Sequence, residues 1–213
     1  MFDVVTRVSS HGGVTRGIGS GSPAGGSAGP SFLVGLLALP VAWTTLTRSL
    51  GWSVWSFIDY VNLPFHEAGH IFFSPFGSTL HILGGTLGEL LVPALLCAYF
   101  LVRDRRPPGA AFCFWWFGEN FVYIARYMAD ARNLTLPLVG GGDHDWNELF
   151  YRFGLLSEPS VARVSSLTHA LGVVLMFAGL AWLAYFALPE RTRASIRDAL
   201  TGRWPALALL LEE

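Results

Sequence analysis

The sequence predicts an all-α fold: a polytopic bundle of about five transmembrane helices behind a disordered N-terminal tail. Three observations carry that reading. Hydrophobic residues make up 52% of the 213-residue chain and charged residues only 14%, against the roughly 25% charged residues of ordinary soluble domains. The mean hydropathy is positive, at +0.46. The apolar residues also gather in stretches of about 20, the length a helix needs to cross a hydrocarbon core.

Taken in order, residues 1–30 are rich in Gly, Ser and Pro and cannot bury a core, which predicts a disordered tail. Gly17-Ile18-Gly19 within it is no dinucleotide loop, because no strand precedes it and no amphipathic helix follows. The tail also lacks the order of a secretory signal, in which an apolar core follows at once on a short basic start. Residues 31–190 form the membrane domain, and residues 191–213 an Arg-rich C-terminal tail. The first apolar segment, 32–50, is short for a span and is kinked at Pro40. The second, 52–76, carries Pro64; Asn62 caps a fresh half-length helix there, or a longer helix kinks. The third, 79–102, has Gly84, Gly85 and Gly88 for close helix approach and Glu89 near its middle. The fourth, 109–129, is aromatic and is interrupted by Glu119 and Asn120; a polar loop over 130–159 separates it from the fifth, 161–188.

All 14 basic residues are Arg, and the formal net charge is −1. Phosphate binding needs a basic excess, so no nucleic-acid partner is expected. Cys97 and Cys113 lie in apolar segments and read as small buried hydrophobes. If all five segments cross, Arg48, the 103–108 loop and the C-terminal arginines share one side, eight basic residues against six, which sets that side in the cytoplasm. The His70 end of the second segment and the 130–159 loop then share the other side and can meet. The expected location is the bacterial cytoplasmic membrane, crossed several times, with lipid as the surrounding partner.

Within the second segment stands His66-Glu67-Ala68-Gly69-His70. On a helix, residues four apart lie about 40° apart on one face, one turn above each other. That spacing lets two imidazoles bind one tetrahedral metal ion. Glu67, about 100° round from His66, can take a proton from an activated water without being a ligand. Shuffling this composition yields the pattern in about 0.6% of sequences, so the motif is informative. The bland reading, two buried histidines and a carboxylate satisfying one another, is disfavoured because ionisable groups in apolar spans are costly.

A catalytic metal site takes three protein ligands, leaving one position open. Four candidates supply the third. Glu89 follows His70 by nineteen residues, a separation like that of the downstream glutamate in thermolysin-type enzymes, and reads otherwise as a helix-interface carboxylate. Glu119, beside Asn120, reads more readily as a hydrogen-bonding group for a bent helix or a substrate strand. Asp130, between Arg126 and Arg132, reads as a helix-end ion pair. The cluster Asp143-His144-Asp145 packs three ligand types before a helix start at Trp146, behind glycines at 140–142 that let the backbone fold into a cavity. Asp145 is favoured within it, with His144 as the alternative.

An H-E-x-x-H in a membrane helix, followed by further spans and by Asn133-Leu134-Thr135-Leu136-Pro137 leading to an aspartate, resembles the site-2 protease family of intramembrane zinc metalloproteases. The likeness covers roughly residues 52–150. It implies that Zn2+ is the cofactor, that His66, His70 and an aspartate of the 143–145 cluster bind it, and that Glu67 is the general base. The chain departs from the pattern in having no Leu-Asp-Gly and no inserted PDZ-like domain, and its acidic cluster lies six to eight residues past Pro137. The expected activity is hydrolysis of a peptide bond in a membrane-protein or peptide substrate, with Asn120 or the Gly84-Gly85 region holding the substrate strand. The alternative is a non-catalytic membrane protein that binds metal at His66, Glu67 and His70 structurally or for transport.

Overall fold

A computed structural model describes residues 29–51, 56–138 and 143–211. Every element among them is helical: α1 (Gly29–Ser49), α2 (Phe57–Phe73), α3 (Ser78–Val102), α4 (Pro107–Asp130), α5 (Asp145–Arg152), α6 (Glu158–Ala187), α7 (Glu190–Thr201) and a last turn, α8 (Ala208–Leu211). The disordered-tail expectation for 1–30 falls almost wholly outside the described residues, as do the glycines at 140–142.

Among the described residues, three helices are long and apolar enough to cross a membrane: α1 over Phe32–Ser49, α3 and α6. They turn large apolar side chains outward, among them Leu39, Trp43, Leu95, Leu167 and Val174, each about two-thirds exposed. A soluble monomer rarely leaves such continuous apolar faces uncovered. The other two expected segments do not meet that standard. The 17 residues of α2 rise about 25 Å, short of a 30 Å core. α4 is interrupted by Glu119, Asn120 and Arg126 and is instead the buried centre of the bundle, with Ala111, Trp115, Trp116 and Val122 packed against Met176 and Leu183 of α6 and Val41 of α1.

Asn62 is not the cap of a half-length helix. The Asp59 carboxylate accepts the Ser56 amide at 2.8 Å, a capping box that starts α2 at Phe57 and carries the helix through Pro64. Asn62 is instead fully buried: its carbonyl accepts Trp116 Nε1–H at 2.7 Å and its amide donates to Asn120 Oδ1 at 2.6 Å. Asn120 in turn donates to the Glu89 carbonyl. These bonds tie α2, α3 and α4 together at mid-depth. Arg48 ties α1 to the same core, pairing with Asp59 and, at 2.9 Å, with Glu119. The 130–159 stretch is not all loop, since it contains α5, and the Arg-rich C-terminal stretch begins with the helix α7.

α2 and α3 touch backbone to backbone. A Cβ added at Gly69 would lie 2.0 Å from the Gly84 carbonyl oxygen, and one at Gly88 would lie 2.1 Å from that of Phe65. Neither obstacle can swing aside. Gly69→Ala and Gly88→Ala should each lower bundle stability by about 1–3 kcal/mol, the cost of overpacking a filled interior, measured by thermal unfolding in detergent. Gly35→Ala, whose Cβ meets nothing nearer than Ala187 Cβ at 3.9 Å, should leave the midpoint unchanged or raised.

Candidate metal centre

His66 and His70 sit one turn apart on α2 with ring centroids 4.7 Å apart and ring planes nearly perpendicular. Each ring is oriented from behind. His66 Nδ1 lies 3.1 Å from Glu89 Oε1 of α3, and His70 Nδ1 lies 2.8 Å from the His81 carbonyl. Both partners are acceptors, so both Nδ1 atoms carry the proton and both Nε2 atoms present lone pairs. These lone pairs face one oxygen: Asp145 Oδ2 is 2.9 Å from His66 Nε2 and 3.3 Å from His70 Nε2. The three donor atoms lie within 4.8 Å of one another. With both rings neutral, two imidazole nitrogens and a carboxylate oxygen converge with no proton between them and repel one another, and a cation of borderline softness is a group whose chemistry suits that set.

Gly85 supplies the space. A Cβ there would stand 2.5 Å from His66 Nε2 and 2.7 Å from His70 Nε2, so only glycine at this turn of α3 lets both ring tips reach their positions.

Asp145 arrives from the other side of the chain on the first turn of α5. His144 is the N-cap of that helix, its Nδ1 accepting the Asn147 amide at 3.1 Å. Tyr127 of α4 accepts the Asp145 amide on its hydroxyl at 3.1 Å and lays its ring on His144, centroids 4.1 Å apart. Asn147 donates to the Ala131 carbonyl at 2.6 Å. Asp130 closes the preceding turn by accepting the Thr135 hydroxyl at 2.6 Å and the Thr135 and Leu136 amides at 3.0 and 2.9 Å. Burial works against the Asp130 charge, but these donors hold its carboxyl below the usual range. Burial pushes the His144 imidazole down, against the pull of Asp130, which keeps Nδ1 free of a proton and able to cap.

The structure therefore brings together His66, His70 and Asp145 and leaves the other candidates elsewhere. His144 points away from the histidines: its Nδ1 is taken by the cap and its Nε2 lies 3.6 Å from Asp130. Glu89 touches His66 on Nδ1, the nitrogen facing away from Asp145, so it cannot share an ion with Nε2. Glu119 is committed to Arg48. Asp130 forms no helix-end pair with Arg132, whose guanidinium lies 3.7 Å from Glu158. Asn120 has both ends of its amide used between helices and is not among the residues that line the cavity. In the Gly84-Gly85 region, Gly84 lies against the Gly69 backbone and Gly85 against the ring tips of His66 and His70.

A cavity of about 910 Å³ opens beside the three donor atoms. Its walls include Tyr60, Glu67 and His81, Tyr127 of α4, the Leu136–Pro137 turn, and Arg152 of α5. Glu67 is exposed there and has no hydrogen-bond or ion-pair partner among the described residues. Sequence reasoning missed His81, Tyr127 and the specific part played by Gly85. The glycine pair was the available signal for the last, whereas nothing in an apolar run distinguishes Tyr127.

Gly85→Ala tests this arrangement, because the atoms it displaces are flexible ring tips rather than backbone. Helicity and unfolding midpoint should stay near those of the parent, while affinity for zinc falls at least tenfold in a competition titration, the scale of a misplaced ligand.

Compared with known proteins, the chain matches no family model, no curated protein and no solved structure.

Proposed function

We propose that this chain is a membrane-embedded zinc metallopeptidase that hydrolyses a peptide bond in a membrane-protein or peptide substrate, the activity its likeness to site-2 proteases implies. One observation carries the reading: the Nε2 lone pairs of His66 and His70 converge on Asp145 Oδ2 while an unpartnered carboxylate, Glu67, faces the same cavity. Three protein ligands with room for a fourth group is the composition of a catalytic site rather than a closed structural one. On this reading α2 and α4 cross with α1, α3 and α6, shielded by those three helices and by the bonds of Asn62, Asn120 and Arg48.

His66, His70 and Asp145 would hold the ion, Glu89 and the His81 carbonyl would fix the rings, and Gly85 would leave them space. When bound, zinc supplies Lewis acidity toward a water and a carbonyl oxygen, which no side chain here provides. Glu67 does the proton work. Its carboxylate takes a proton from the attacking water as the oxygen–carbon bond forms, then passes it to the departing amide nitrogen as the carbon–nitrogen bond breaks. Water and one peptide bond become an acid and an amine, and Glu67 returns to its starting state.

Purified protein should carry about one zinc per chain. His66→Ala, His70→Ala and Asp145→Ala should each strip it. His144→Ala should retain it while losing about 1 kcal/mol of stability through the lost cap. Zinc retained in all of the first three variants would end the metal assignment.

Glu67→Gln separates a peptidase from a metal-binding or transport protein. The amide cannot accept the water's proton, so zinc content and unfolding should be unchanged while hydrolysis of a detergent-solubilised peptide substrate falls by at least a hundredfold. Unchanged turnover would remove Glu67 from the chemistry.

A further inference from the structure

We propose that Tyr127 is a second catalytic residue of this site, its hydroxyl donating a hydrogen bond to the substrate carbonyl oxygen as negative charge builds there. The inference rests on the peptidase reading and adds to it a group that neither the motif nor the ligand set contains. Glu67 supplies the base, but the oxygen that becomes an oxyanion also needs a preorganised donor, and such a donor is worth about two to three orders of magnitude in rate.

Tyr127 meets the geometric requirements. Its oxygen accepts the Asp145 amide at 3.1 Å, so the hydroxyl stands one residue's reach from the carboxylate that faces both histidines. The lone pair is used in that bond, and the hydroxyl proton has no acceptor among the described residues. The side chain lines the cavity, directly across from α2. Its ring is clamped, lying on His144 at 4.1 Å and meeting His66 at 6.3 Å in an edge arrangement, so the donor is held in place before substrate arrives. Tyr123, one turn earlier on α4, lines the same cavity, but it is Tyr127 that the Asp145 amide bonds. His81 also lines it, yet its Nδ1 is engaged with the His70 carbonyl at 2.9 Å, and in the neutral ring Nε2 is then an acceptor.

No covalent step is added. The hydroxyl keeps its proton throughout and only its hydrogen bond strengthens as the carbonyl oxygen becomes anionic.

Tyr127→Phe keeps the ring, its stacking on His144 and the packing of α4, and removes the donor. The test compares this variant with the parent after loading both with Co(II), whose visible spectrum reports ligands binding at the metal. Two probes are titrated: methylphosphonate, a tetrahedral oxyanion that can accept the Tyr127 proton, and imidazole, which binds through a nitrogen lone pair and requires no donor. The expected result is equal cobalt stoichiometry and equal imidazole affinity, with methylphosphonate binding weakened at least tenfold in Tyr127→Phe, as loss of a charge-assisted hydrogen bond entails. Equal methylphosphonate affinities would overturn the proposal. So would loss of cobalt or of imidazole binding in the variant, since Tyr127 would then serve only to seat Asp145. If the parent itself takes up no cobalt, the peptidase reading fails first and takes the inference with it, whereas the other failures leave that reading intact.

Discussion

At Gly69 the α2 backbone lies against the Gly84 carbonyl, and at Gly88 the α3 backbone lies against the carbonyl of Phe65. In lipid, helices gain nothing from hiding apolar surface from one another, so association rests on close van der Waals contact and on weak Cα–H···O bonds that only small residues permit. The two contacts also fix register. Gly88 is followed by Glu89, which meets His66; His81 lies one turn before Gly84 and Gly85 and offers its carbonyl to His70. A slip of one turn, about 5.4 Å, would remove both acceptors and put a side chain where Gly85 leaves room for the ring tips. The orientation of both imidazoles is therefore set by a helix contact that contains no polar side chain.

A second constraint acts across the bundle. Arg48, Asp59 and Glu119 are buried together, and burying charge in a low-dielectric interior is repaid only by dense pairing. One guanidinium between two carboxylates attaches α1 to α2 and α4 at a point where apolar packing alone would let it slide. The adjoining Trp116–Asn62–Asn120–Glu89 line is neutral, and each amide uses donor and acceptor. The line ends on the backbone of the residue whose carboxylate orients His66. A break at Asn62 or Asn120 would leave polar groups orphaned in the bundle interior and would loosen α3 behind the site.

Helix positions and the two histidines were legible because they follow from local rules: apolar length, Gly and Pro at the ends, and a four-residue spacing that needs only a helix to act. Pro64 left two starts open for α2, a fresh helix at Asn62 or a longer one passing through the proline, and the Ser56–Asp59 capping box decides for the longer helix, begun a turn and a half earlier. The third position was legible only to within a cluster. Asp143, His144 and Asp145 all carry ligand types, and the choice among them depends on which residue becomes the N-cap. His144 takes that place, its ring is drawn toward Asn147 and Asp130, and Asp145 is turned inward on the first helical turn. Glu89 shows the limit more sharply. A carboxylate at mid-span reads the same whether it meets an ion or the back of a ligand ring, and the difference lies in which imidazole nitrogen it faces.

On the peptidase reading proposed above, the cavity limits what could be cut there. A carbonyl inside a helix is already bonded to the amide four residues on and is closed to attack, so a helical substrate segment must unwind across at least the scissile turn. Unwinding in lipid would orphan several backbone groups at several kcal/mol each. The walls are mixed in kind: Ser78, Arg126, Asp143, Glu148 and Arg152 make one part polar, with Arg152 bonded to Glu148, Ser78 and Thr79, while Leu63 and Ile82 offer apolar surface to the side chains of an extended segment.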